Sequence, residues 1–349
     1  VVGPAYEAFR CQDAIHCPGG TAVGSCPPHR KDLACEFCEA GMYTCGSGMC
    51  LRCDGIVWLE AVVFVCAGLL FLLVFAAIAK ASHRVRITFQ SRLTVSCCFG
   101  IVITTAQIFG TFGGMDLARI PPMSALTTFW QVVSVSLDVI EVTCTLGVTS
   151  SLGHYASSMA LYPAILLSFV LMFAIVHRGS RRHMDALYDG LGRVFMLVYL
   201  PATILALEPF RCGHNPCGRP TLMRHRSVIC WEGSSHPAML AISVVAVLAF
   251  PVSFLAFVAQ ATWAFPRRLA SSRCHTWLQW HSFIFQRFKS EHYYYGIAHL
   301  SRSFCIGLLP ALLVNEEELH ILLLGLVLSA SGLAQAFLQP WRSGGANML

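Results

Sequence analysis

From Ile56 to Ala79 the chain reads IVWLEAVVFVCAGLLFLLVFAAIA, and no other feature constrains its fold as tightly. At about 1.5 Å per residue these 24 residues reach roughly 36 Å, enough to cross a bilayer with some tilt. Comparable apolar runs lie at 93–112, which carries Gln107, and at 160–176, 191–207, 238–259, 297–314 and 319–338. The last two are split by Asn315–Glu318, NEEE, a polar hairpin too charged to enter lipid. Only 12% of the residues are charged and 56% are hydrophobic, against about 25% charged in an average soluble domain, which excludes a large soluble helical core. The runs do not alternate, which excludes a lipid-facing barrel. The expected fold is an all-α polytopic membrane protein of about seven transmembrane helices over 56–349. A small disulfide-rich, loop-rich extracellular module over 1–55 precedes it. The chain opens at Val1 without an initiator Met, so it reads as a piece or a processed product of something longer.

The stretch 121–150 is the ambiguous one. It is moderately apolar, rich in Ser and Thr, and holds Asp138 and Glu141. One acid near a span centre costs roughly 2.5 to 3.5 kcal/mol, so two oppose a plain crossing. The two lie three apart, on one helical face. Two readings stand: a helix lying in the interface with that face in water, or a partly inserted helix turned toward a polar cavity as an intramembrane polar pair.

Charge placement sets the orientation. Lys80, Arg84, Arg86 and Arg92 follow the first run, and Arg178, Arg181, Arg182 and Arg193 follow the third. Arg267, Arg268, Arg273, Arg287 and Lys289 follow the fifth, and Arg342 lies in the tail. All fall on one side if 121–150 does not cross. The N-terminus is then outside, the C-terminus is cytoplasmic, and the location is the plasma membrane. The outer loop between the fourth and fifth runs opposes this, with Arg211, Arg219, Arg224 and Arg226. The rival has eight spans and puts Cys212, Cys217 and Cys230 in the cytosol.

Of 17 cysteines, eight fall in the first 53 residues: Cys11, Cys17, Cys26, Cys35, Cys38, Cys45, Cys50 and Cys53. The pairs Cys35/Cys38 and Cys50/Cys53 could grip zinc inside a cell, leaving four cysteines over. An even count in a loop-rich segment placed outside by the charge rule reads instead as a disulfide framework, whose connectivity is open. Cys144, Cys212, Cys217 and Cys230 also fall outside and are further disulfide candidates. Cys212 with Cys230 is the preferred bridge, contributing roughly 3 kcal/mol on a chain-entropy basis. Cys66, Cys97, Cys98, Cys274 and Cys305 read as buried apolar thiols.

Between Cys274 and Gly296, the residues Trp277, Trp280, Ile284 and Phe288 recur at helical spacing, which predicts a helix lying in the headgroup region, as an ordinary anchor or as a lever joining the fifth and sixth spans. Tyr293–Tyr295 then form an aromatic belt where the sixth span begins. Arg302, three residues after His299, reads as a snorkelling cation or as a partner for an anionic lipid or another helix. Gln107 and Gln335 are placed to bond between helices, and Glu208 reads as solvated at the outer interface. There is no Gly-rich phosphate loop, no helical metal triad and no nucleophile–base pair. The chain is therefore expected not to be an enzyme and to use no cofactor or metal.

Several motifs occur in order. They are CPGG at Cys17, C-x-x-C-x-x-G-x-Y over Cys35–Tyr43, and C-x-x-C-x-G over Cys50–Gly55. RITFQ (Arg86–Gln90), IPP (Ile120–Pro122), SLDVIEVTC ending at Cys144 and YLP (Tyr199–Pro201) follow. PFRC (Pro209–Cys212) is answered by SVIC ending at Cys230; then come FPVSF (Phe250–Phe254), YYYGIAHLSRS (Tyr293–Ser303) and QPWRSGGAN (Gln339–Asn347). In this order the chain resembles large polytopic proteins of protists, among them dinoflagellates, oomycetes and ciliates. These carry ephrin-receptor-like, EGF-like cysteine-rich repeats ahead of a TRP-like multi-span region. The family often has Trp where this chain has Tyr293–Tyr295, and usually Asp where it has Arg226. The resemblance implies a fold and a surface location more than an activity.

The expected function is that of a receptor or sensor whose disulfide-bonded stalk is coupled to the bundle. Only Asp54 and Gly55 separate that stalk from the first span. One alternative is a TRP-like cation channel subunit with Glu316, Glu317 and Glu318 attracting cations at its mouth. Another is a structural or adhesion protein. The expected partners are membrane lipids, an extracellular ligand or protein, and further copies of the chain, with no nucleic acid.

Overall fold

The computed structural model describes residues 7–12, 15–18, 25–44, 49–53, 62, 66, 68–70, 73, 100–105, 107–108, 142–177, 184–270, 274–342, 344 and 347. Asp138, Glu141, Cys45, Cys97, Cys98, Asp54, Gly55, the basic loop 80–92 and most of the expected spans 56–79 and 93–112 lie outside them.

The protein is mostly helical, with an N-terminal disulfide-rich region. That region holds two small antiparallel hairpins: β1 (Arg30–Lys31) with β2 (Phe37–Cys38), and β3 (Met42–Thr44) with β4 (Cys50–Arg52). Helix α1 (Val142–Leu146) is short, and α2 runs Ser151–His177. Helix α3 spans Met184–Ala206 and passes into a 3-10 turn at Glu208–Phe210. A lid follows, pinned by β5 (Cys212–Gly213) and β6 (Thr221–Leu222). Helices α4 (Ser235–Val247) and α5 (Ser253–Leu269) form one rod through a π segment, Leu248–Val252. Pro251 sits inside that segment; lacking an N–H, it cannot continue the ordinary ladder, and the helix widens there. Short α6 (Cys274–Trp280) and α7 (Ser282–Phe285) lead to α8 (Tyr295–Leu312) and α9 (Glu317–Leu338).

Four helical stretches are long and apolar enough to cross a membrane: Ser151–Val176, Met184–Phe210, Ser235–Leu269 and Glu317–Leu338. They contain the expected runs at 160–176, 191–207, 238–259 and 319–338, but three of them extend well past those bounds. The run expected at 297–314 does form a helix, α8. Its 18 residues include His299 and Arg302, and it is not among the four. The described residues therefore give four candidate spans where seven were expected.

The central core joins α3, α5, α7 and α8 through Tyr199, Phe254, Val258, Phe283, Ile284 and Leu300. Phe195 stacks on both Phe250 and Phe254 at 4.2 Å. Glycine permits the closest approach: a Cβ at Gly192 would lie 2.4 Å from the Phe283 ring. The expected single amphipathic helix over 274–296 is corrected here. It is broken at His281 and again before Ser290, because Ile284, with no solvent exposure, is drawn into the protein core rather than toward headgroups.

Candidate functional site

The feature that organises one end of the molecule is the seat of the cysteine-rich module. Three bridges close within it: Cys11–Cys17, Cys26–Cys35 and Cys38–Cys50. Cys53 does not pair inside the module. It bonds Cys144 of α1, 91 positions away, with the two Cα atoms 5.6 Å apart. The β3–β4 register explains the reach: Thr44 opposes Cys50, and the Cys53 N–H donates to the Gly41 carbonyl at 2.9 Å. Cys53 is thus held beside β3, the strand on which α1 packs.

A second attachment is made by hydrogen bonds. His29, Asp32, Ala34 and Cys35 all have positive φ, a tight path held by Arg30, whose buried guanidinium Nη1 donates to the carbonyls of Cys35 (2.8 Å) and Glu36 (3.2 Å). That turn presents Glu36 outward. One Glu36 oxygen accepts the Ser227 N–H at 2.5 Å, and the other lies 3.1 Å from His225 Nδ1. Both side chains are nearly buried, at 8% and 11% exposure, so the pair works in a low-dielectric setting where it is hard to replace. Around it, the Arg10 N–H donates to Asn215 Oδ1 at 3.0 Å, and Arg219 bridges Glu7 and Glu232 at 3.0 Å each. Glu7, then Glu232, hold the Arg219 guanidinium above its ordinary range. The Phe37 and His154 rings approach to 5.6 Å, which ties the module to α2 as well.

The lid beneath the module is closed by Cys212–Cys230, the expected bridge. His236, with no exposure, locks it: Nδ1 accepts the Trp231 N–H at 3.1 Å, which leaves Nε2 to donate to the Pro209 carbonyl at 3.2 Å. Cys212, Cys230 and His236 cluster closely enough to suggest a metal site. The two sulfurs are spent on each other and the imidazole lone pair is taken, so the cluster as built offers no ligand to an ion.

Three expectations are corrected here. Cys217 is a free, half-exposed thiol rather than a disulfide partner, because, of the two outer cysteines left over by the Cys212–Cys230 bridge, Cys53 takes Cys144. Glu208 is buried rather than solvated, 3.5 Å from Arg224 Nε. Cys66 and Cys305 are free but exposed rather than buried. Burial holds the neighbouring Arg211 guanidinium below its usual range, with Glu208 opposing and Arg224 adding to that effect.

Glu316, Glu317 and Glu318 are exposed and make no ion pair among the described residues. Their turn joins the same end of the molecule, since Asn315 Oδ1 accepts the His214 N–H at 3.1 Å. Sequence reading missed Glu36, His225, Ser227 and Arg219. The available signal was the four arginines in a loop that the charge rule places outside: Arg219 and Arg224 are there to meet Glu7, Glu232 and Glu208.

No protein-family model, curated protein or solved structure matches the chain.

Proposed function

We propose that the chain is a multi-pass surface membrane protein of receptor or sensor type. In this reading the cysteine-rich module and the 211–234 lid are extracellular, and the arginine-rich connections are cytosolic. One observation carries it: the module is held at two points on different elements, covalently at Cys53–Cys144 and by hydrogen bonds at Glu36. A body fixed twice cannot swing freely, so a ligand that displaces it must also displace α1 or the lid.

The path inward is α3. Its C-terminal end runs into the lid at Glu208–Phe210, and its other end meets the opposite pole through Asp185 to Trp280, Asp189 to Ser282, and Arg193 to Gln286. The sidedness rests on chemistry. Five disulfides collect at one end, as an oxidising exterior favours, while Arg267, Arg268, Arg287, Lys289 and Arg342 belong to the other. A bond between Cys53 and Cys144 requires an even number of crossings between them. That supports spans near 56–79 and 93–112, no crossing by 121–150, and seven spans in all once α8 is included.

The test is hydrogen exchange on the protein in lipid nanodiscs, comparing the wild type with Glu36→Ala. Faster exchange both in the lid and across Cys274–His292 supports transmission. A change confined to the lid removes the sensor reading and leaves a structural surface protein.

A second reading, a TRP-like channel subunit, draws on the exposed Glu316–Glu318 turn and on α9, whose Leu322, Leu326, Leu333 and Phe337 all face outward. Patch-clamp recording with the three acids changed to Gln decides it, and currents that do not change exclude it.

A further inference from the structure

We propose that the end of the α4–α5 rod away from the lid binds the phosphate of an anionic lipid headgroup through Arg267, which is stacked on the indole of Trp263. The proposal rests on the chain lying in a membrane and does not depend on which pole is cytosolic.

The rod carries one exposed stripe along its length. Pro237, Ala241, Val245, Leu248, Val252 and Ala256 are exposed and recur at helical spacing. From Pro237 to Ala256 the rise is roughly 29 Å, the thickness of a hydrocarbon core. No Asp, Glu, Lys or Arg stands between Glu232 and Arg267. Ser253, also exposed, turns its hydroxyl back to the Ala249 carbonyl at 2.7 Å, so it brings no unmet donor to lipid. Beyond that length the stripe continues through Gln260, Trp263 and Arg267. Trp263 is 70% exposed, and Trp231, just before the rod, is 69% exposed. An indole thus flanks the apolar stretch at each end, as at the two surfaces of a bilayer.

Helical side chains lean back toward the start of their helix. The Arg267 guanidinium does so here and lies over the Trp263 ring, 4.6 Å from its centroid. Its charge is therefore level with an indole at the headgroup boundary. The stack occupies one face of the guanidinium and leaves its N–H edge free. Arg267 makes no ion pair among the described residues, and neither does Arg268.

A planar fork of donors fixed at that level suits an anion with several acceptor oxygens, and a lipid phosphate is the one a bilayer presents there. The apolar stripe running away from Trp263 gives the acyl chains of the same lipid a surface to lie on. Arg268 has the same charge in a different place. It stands about 100° round the helix from Arg267, off the stripe, and its charge acts on His281 between α6 and α7.

The test uses the full chain purified in detergent. Short-chain phosphatidylserine, short-chain phosphatidylcholine and inorganic phosphate are titrated while thermal unfolding is followed. The serine lipid should raise Tm, and the other two should not. Arg267→Gln should weaken the serine lipid by about fivefold, the effect of one basic contact near an anionic headgroup, and Arg268→Gln should weaken it less. Arg267→Lys keeps the charge and Trp263→Leu keeps an apolar side chain, but each removes the stacked fork and should also weaken the lipid. All four changes are at exposed positions, so the variants should fold. Equal losses from Arg267→Gln and Arg268→Gln show diffuse charge attraction and overturn the site, as do wild-type affinity in Trp263→Leu or equal shifts with phosphatidylcholine. A shift with inorganic phosphate as large as with the lipid overturns the lipid assignment. A chain that stays monodisperse without detergent fails the membrane reading instead.

Discussion

Cys53, the last cysteine of the N-terminal module, is bonded to Cys144 across 91 positions of sequence, so the module is a covalent part of the helical bundle. A bridge that closes so long a loop acts mainly on the unfolded chain. On a chain-entropy basis it contributes about 4–5 kcal/mol, more than the shorter Cys212–Cys230 loop. The double variant Cys53→Ser, Cys144→Ser should therefore lower Tm by more than Cys212→Ser, Cys230→Ser does. Non-reducing digestion of the wild type should yield a peptide joining the two positions. A peptide joining Cys217 to either one would contradict the pairing.

Arg30 is a sharper test of the module. Its buried guanidinium donates to two carbonyls in the turn that aims Glu36 at the lid. Arg30→Met keeps the length and leaves both acceptors unmet, at about 1–3 kcal/mol each. Limited proteolysis should cut between residues 25 and 44 faster than in wild type while the helices stay intact. Unchanged cleavage would mean that the disulfides alone hold the turn.

Two glycines make a matched pair. A methyl at Gly192 would meet Phe283 at 2.4 Å, in the core that joins α3 to α7, whereas a methyl at Gly325 on α9 meets nothing within 4 Å. Gly192→Ala should destabilise by about 1–3 kcal/mol through overpacking. Gly325→Ala should be neutral, or stabilising by roughly 0.5–1 kcal/mol through helix propensity. Thermal unfolding of the two variants side by side reads both values, and a reversed order would put the close approach of α3 and α7 in error.

What the sequence could show was what depends on composition. The four long helices follow from hydropathy, Cys212–Cys230 from loop closure, and the reach of Gln107 to the Leu197 carbonyl at 2.7 Å from a polar group needing a partner between helices. Periodicity marked Trp277, Trp280, Ile284 and Phe288 as one apolar face but assigned it to headgroups, since spacing alone does not distinguish lipid from protein. Ile284 and Phe288 go into the protein, while Trp280 packs on Tyr188 at 5.3 Å and donates to Asp185. Glu36 was invisible because its partners, His225 and Ser227, lie about 190 positions away, and only the folded chain brings them within reach.

His281 connects packing to pH. It stacks on Trp277 at 4.3 Å and donates from Nδ1 to the Trp277 carbonyl at 2.9 Å. Burial first, and Arg268 last, hold its pKa below the ordinary value, against a smaller upward pull from that carbonyl. The folded state thus keeps the ring neutral where the unfolded chain would already be protonated. Stability from this group is complete above the unfolded value of about 6.5 and is lost as pH falls from there toward the folded value. His281→Phe should flatten that part of the Tm–pH curve relative to wild type between about pH 5 and 7. Identical slopes would show that the imidazole stays solvated.

The two half-exposed free thiols Cys217 and Cys274 sit at opposite poles, one in the lid and one at the start of α6. An impermeant maleimide added to intact cells should label Cys217 without prior reduction and leave Cys274 untouched until the membrane is permeabilised. Cys217→Ser should remove part of the first signal, and Cys274→Ser should remove part of the second. The opposite order would place the disulfides in the cytosol, where glutathione would not let them persist, and would invert the proposed arrangement of spans.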